Sequence, residues 1–348
     1  MLARPIPADL KPWAQEALGL VGEAPTPALE IIAGDASNRR YFRLETPKGS
    51  YVVVDAPPST EKNTEFSRIH QLLLGAQIRV PAMLAMDLER GYMLLEDLGD
   101  RVLLPELCET SVDGYYRECF HILAGFRAIQ AESDLLPRYD RALLTEELSR
   151  FPEWFVSALL AYQCDDTELA LIEKFAGLLI ENALDQPQGF VHRDFHSRNM
   201  MLVGQGQGDL AVIDFQDAVY GPVTYDLASL LKDCYIRWPR SQVCCWALAY
   251  RDELVASQVI APMADQDFLR WFDLMGLQRH IKVLGTFARL YLRDDKASYL
   301  DDLPMVVQYV QETLNLYADC EPVVAEFKDW FEGKLMPLIL LQSWGKSL

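Results

Sequence analysis

The chain has 348 residues, half of them apolar, which is enough for one large two-lobed domain or two domains with a sizeable core. Its formal charge of −19, from 51 acidic against 32 basic residues, argues against nucleic acid and anionic membrane as partners. Seven scattered cysteines without a CxxC pair, a start (MLARPIPADLKPW) lacking a signal pattern, and no apolar run near the roughly 18 residues of a membrane span lead us to expect a reduced, cytoplasmic protein.

In chain order, the Pro-rich start predicts a short helix near 12–20. Strands are expected over 29–32, 41–44 and 51–54, with GDASNRR between the first two and a Pro- and Gly-containing turn at 46–50. A helix near 60–74 would place Phe66, Ile69, Leu72 and Leu73 on one face. Two further strands follow, near 82–88 and 92–96. From about residue 110 the pattern turns helical: Tyr115, Cys119, Ile122, Phe126 and Ile129 keep helical spacing, with more helices over 146–162 and 167–183 and beyond residue 225. The expected class is α+β, with an antiparallel-sheet N-terminal lobe over 1–98 and a mostly helical C-terminal lobe over 99–348.

The most informative stretch is VHRDFHSRNMMLVGQGQGDLAVIDFQDA, beginning at Val191. It predicts two short strands, MMLV and LAVI, joined by a turn containing Gly204, Gly206 and Gly208. Asp194 precedes Asn199 by five residues and Asp214 by twenty, the spacing of a kinase catalytic loop followed by its metal-binding Asp. Phosphoryl transfer needs a carboxylate beside the acceptor hydroxyl, here Asp194, and hard oxygen ligands for Mg²⁺ on ATP, here Asn199 and Asp214.

Gly34, Ser37 and Asn38 lie between two predicted strands, where backbone and hydroxyl donors suit phosphates. LLEDLG, with Glu96 and Leu98, leaves a strand toward the helical part, where a kinase pairs adenine with its backbone. His192 is expected to brace the loop. His196 and Arg198 within it, and Arg237 and Arg279 further on, are candidates for contacting the acceptor, while Trp238 reads as core.

With HRDFHSRN, VIDFQDA and GPVTYDLA in view, the chain resembles the aminoglycoside phosphotransferase family of small-molecule kinases, which implies a bilobal protein-kinase-like fold over essentially its whole length. The resemblance makes Asp226 a structural residue bracing the catalytic loop. GDASNRRYFRL, YDLASLLKDCYIRWP and GLQRHIKVLGTFARLYLRD narrow it to bacterial kinases that phosphorylate N-acetylmuramate and N-acetylglucosamine at the anomeric hydroxyl, in peptidoglycan recycling. Other small alcohols (aminoglycoside, choline, homoserine) and a pseudokinase that binds nucleotide without turnover are the competing expectations. The chain departs from the family on its third strand, where VVVD stands in place of a basic residue. Arg39, Arg40 or Arg43 is expected to supply the missing charge, with Glu65 as its partner.

Overall fold

In the computed structural model the described residues are 4–20, 28–34, 38–129, 136–204 and 209–348. Ser37, Gly206 and Gly208 lie outside them. The N-terminal strands form a five-stranded antiparallel sheet of order β1-β2-β3-β5-β4, from β1 (Glu30–Gly34), β2 (Arg40–Thr46), β3 (Gly49–Asp55), β4 (Met83–Asp87) and β5 (Tyr92–Glu96). β2 and β3 pair from Arg40 opposite Asp55 to Thr46 opposite Gly49, a register that the tight turn at Gly49 fixes. Alternation along β2 buries Phe42 and Leu44. These pack with Val53, Tyr92 and Leu94 beneath α1 (Leu10–Ala17), which contributes Leu10 and Ala14. Helix α2 (Asn63–Gly75) buries Phe66, Ile69 and Leu73, as the 3.6-residue spacing dictates.

The chain divides into two compact units, 1–125 with 198–217, and 126–197 with 218–348. The division expected after Leu98 falls inside the first of these, and the hairpin of β7 (Met200–Leu202) and β8 (Leu210–Val212) belongs to the sheet-containing unit. Backbone hydrogen bonds explain the assignment. The amides of Leu103, Leu202 and Val212 donate to Met200, Arg101 and Arg79 carbonyls, each at 2.8 Å. Helix α3 (Val112–Ala128) carries the chain out of the first unit.

The second unit is helical, with one two-stranded ribbon that periodicity did not reveal, β6 (Gln188–Val191) paired with β9 (Val219–Pro222). These strands have four residues each, too few for alternation to stand out. Helix α4 (Arg141–Arg150) continues into a wider π-type segment, Phe151–Leu159. Next come α5 (Asp166–Leu184), started by a reciprocal Asp165–Glu168 capping box, and α6 (Tyr225–Leu231). After them run α7 (Arg240–Ala256), α8 (Asp265–Asp294), α9 (Tyr299–Tyr317), α10 (Pro322–Trp330) and α11 (Met336–Leu341). Helix α8 is the central element and is buried along most of its length, Phe268 to Leu290. Gly285 lets it approach α4 closely, since a Cβ there would meet the Arg150 carbonyl carbon at 2.4 Å. Among the described residues no helix is long and apolar enough to cross a membrane.

Candidate active site

In the first unit a cavity of about 410 Å³ opens on the sheet face that carries Tyr41, Arg43 and Val52. Its walls include the segment from Leu95 to Asp100, together with Asn199, Met201, Ile213, Asp214 and Phe215 from the hairpin. The mix of apolar walls and a few oxygen donors at one end suits a nucleoside with a charged tail. Asp214 takes a left-handed conformation, φ 64°, uncommon for a residue other than glycine and a feature that gathers at functional sites. The Asn199 amide nitrogen lies 3.5 Å from one Asp214 carboxylate oxygen, and the Gln216 amide donates to the other at 2.7 Å. Asn199 and Asp214 are hard oxygen donors on one cavity wall and fit Mg²⁺ held partly by substrate phosphates.

The arginines divide by strand alternation. Arg43 reaches the cavity, but its guanidinium is engaged by Asp97 at 2.7 Å and Asp100 at 2.8 Å, and those bonds raise its pKa further. Asp97 also accepts from Ser50. Arg40, on the opposite face, pairs with Asp55 and reaches the carbonyls of Arg4 and Pro5, and it is not one of the residues lining this cavity. Arg39 is 2% exposed, 3.6 Å from the Glu61 carboxylate, and its guanidinium lies 5.0 Å from the centre of the Phe66 ring; like Arg40 it does not itself line the cavity, but the Phe66 ring it covers does. Phe66 lines the cavity and packs on Phe215, centroids 4.8 Å apart. The acidic partner is therefore Glu61, ahead of α2. Glu65 is exposed on that helix, because the burial of Phe66 turns its neighbour outward. Gly34 ends β1, and the Asn38 amide donates to Glu61 at 3.0 Å. Glu96 and Leu98 both line the cavity. The Glu96 side chain is turned to Arg79 at 2.7 Å and the Ala82 amide at 3.1 Å, which leaves its backbone as the part suited to a base.

In the second unit Asp194 sits on a loop braced by buried acids. Asp226, at the start of α6, accepts from the amides of His192 at 2.7 Å and Arg193 at 3.0 Å. Burial pushes Asp226 up to about 7, against the two N–H donors that favour its anion. His192 is fully buried between Phe126 and Phe195, ring centroids 6.2 and 6.1 Å away, which suits a brace. Asp233 accepts from both the amide and the hydroxyl of Ser197, at 3.0 and 2.5 Å. Burial works to raise Asp194, but the cations of Lys282, His196, Arg193 and Arg279 outweigh it and hold its pKa below the usual carboxylate range. Arg279 is 4% exposed and reaches the Cys234 sulfur at 3.6 Å. Arg237 instead pairs with Glu312 and lies 5.9 Å from the Tyr309 ring centre. Arg198 is exposed, and His196 meets Tyr235 edge to face at 5.3 Å. Trp238 packs edge-on against Trp246 at 5.9 Å, as a core residue does.

Sequence reading missed Asp97, Asp233, Glu147 and Asp273. A lone acid on a helix or linker looks like any solvated residue, and only tertiary neighbours distinguish it.

The model of the phosphotransferase enzyme family matches residues 28–265. Two curated relatives, from Pseudomonas putida and Pseudomonas aeruginosa, are each 41% identical to the chain over 293 and 290 residues, covering 84% and 83% of it and 85% of each relative. Both are named N-acetylmuramate/N-acetylglucosamine kinase. Among solved structures, a choline kinase from Streptococcus pneumoniae superposes with a TM-score of 0.62 at 15% identity, over 88% of this chain and all of that one. An ADP-bound aminoglycoside phosphotransferase gives 0.58, also at 15% identity, over 88% of this chain and 99% of that one. These neighbours share the protein-kinase-like fold, an antiparallel-sheet lobe and a helical lobe. With a family model spanning most of its length and relatives at this identity, the chain belongs to the phosphotransferase enzyme family.

Proposed function

We propose that the protein transfers the γ-phosphoryl group of ATP to the anomeric hydroxyl of N-acetylmuramate and N-acetylglucosamine. The observation that carries the reading is the 41% identity, over more than four fifths of the chain, to relatives named for those two sugars. The chemistry of Asp194 agrees with it. A carboxylate held below its usual pKa is a weak base. A hemiacetal hydroxyl is more acidic than an ordinary alcohol, and a loose phosphoryl-transfer transition state asks little of the nucleophile. Asp194 therefore orients the acceptor hydroxyl and takes its proton as the bond to phosphorus forms, and positioning supplies most of the acceleration. Asn199 and Asp214 hold Mg²⁺ on the triphosphate, where the ion neutralises charge when bound.

Arg39 is our candidate for the base absent from the third strand. It stands just ahead of β2, carries an acidic partner in Glu61, and lies over Phe66 in the cavity wall. Arg279 is our candidate for the lactyl carboxylate of N-acetylmuramate, since it is among the cations that act on Asp194.

Turnover of each sugar with ATP, followed by NMR of the product, tests the assignment. A phosphorus coupling to the anomeric proton is expected with both sugars. An ester at the six position, or turnover confined to cationic aminoglycosides, overturns it.

A further inference from the structure

Arg193, the residue before Asp194, has φ 77°, a left-handed conformation that a side-chain-bearing residue adopts only when its surroundings impose it. Two buried carboxylates grip it. Asp226 accepts from its backbone amide at 3.0 Å, and Glu147, on α4 and 0% exposed, pairs with its guanidinium. Glu147 also binds Lys282 of α8 at 3.0 Å and accepts from the Tyr139 hydroxyl. Tyr139 lies under the Arg193 guanidinium, 5.6 Å from ring centre to charge. Lys282 in turn donates at 3.0 Å to the hydroxyl of Tyr225, the residue before Asp226. The contacts close a circuit: Arg193, Glu147, Lys282, Tyr225, Asp226, and back to Arg193. Gly285, one turn along α8 from Lys282, permits the close approach to the end of α4 that brings Glu147 to Lys282.

In kinases regulated by phosphorylation, an added phosphate orders a loop by pairing with arginine. Here Asp226 follows Asp214 by only twelve positions, and β9 takes up part of that interval. A buried anion already occupies the partner position of the arginine in the catalytic loop. We infer that Glu147 is a positioning residue for catalysis, a permanent internal anion that fixes Arg193 and thereby the carboxylate of Asp194. This rests on the reading of Asp194 as the base.

The test is a double-mutant cycle on the full-length enzyme with N-acetylglucosamine and ATP, using Glu147→Gln, Arg193→Met and both together, with ADP affinity measured alongside. Each single change is expected to lower kcat about 100-fold, the scale of a small misplacement of a reacting group, while ADP affinity stays within twofold. The double variant is expected to be no slower than the slower single one, because both act through one contact. Glu147→Asp, which keeps the charge, is expected to recover part of the lost kcat, and it carries the test if Glu147→Gln does not fold. Wild-type kcat in Glu147→Gln, losses that multiply in the double variant, ADP affinity falling in step with kcat, or an Asp variant no faster than the Gln variant overturns the inference. Asp194→Asn in the same assay separates the two claims, since full turnover there removes the base reading itself.

Discussion

The two units handle charge differently. At the rim of the cavity of the first unit, acids and bases meet partly in water, while Arg39 and Glu61 beside it are only 2% and 9% exposed. The side chains of Arg79 and Glu96 are 41% and 33% exposed, and Asp100, which holds Arg43, is 74% exposed. In the second unit Glu147 and Asp273 are fully buried and each faces two cations, Arg193 with Lys282 and the buried Lys232 with a partly exposed Arg240. At an exposed rim, losing one partner leaves the other solvated, and little is lost. In the interior it strands a charge. The difference suits the two proposed tasks, a nucleotide that enters and leaves one pocket and a base that stays where the acceptor hydroxyl arrives. The contrast also shows how little the overall charge of −19 says about a local field, because the surroundings of Asp194 are cationic.

The sharpest break in the comparison is at the base. Asp194→Asn is expected to lose at least about 100-fold in kcat while ADP affinity, a property of the first unit, is unchanged, and parallel kinetics and calorimetry check both halves. Next in size is Asp273→Ala, which strands the buried Lys232 and removes the acceptor of the Tyr317 hydroxyl. Urea unfolding should show a loss of about 3–5 kcal/mol. Arg39→Ala is expected to weaken ADP about tenfold or more and leave adenosine untouched, because the side chain is assigned to phosphates. Equal losses for both ligands would mean that Arg39 serves the fold. The smallest effect belongs to the rim: Asp100→Ala should cost less than about 1 kcal/mol, and a loss as large as that of Asp273→Ala would erase the distinction drawn here.

The elements that the sequence revealed share a property. The helices over α2, α3 and α5 show periodic apolar patterns long enough to read, β5 is a short apolar run, and the spacing of Asp194, Asn199 and Asp214 is a local constraint of one loop and hairpin. Arg40 illustrates the opposite case. It opens β2 and turns to Asp55, while Arg39 just ahead of the strand turns to Glu61, and nothing in RR says which does which until the register of β2 against β3 is set.

The amino-acid sequence by itself determined the class of chemistry, the strands and helices of the first unit, and the spacing of the three residues proposed for the reaction, since each is encoded within a few tens of neighbouring positions. Only the tertiary structure decided which arginine meets Glu61, that Glu147 faces Arg193 and Lys282, that β6 pairs with β9, and that the hairpin of β7 and β8 folds with the sheet. Those ion pairs join residues 22, 46 and 135 positions apart, beyond the reach of local pattern. A buried ion pair carries no periodicity, because its partners are selected by where the helices and strands that carry them come to pack.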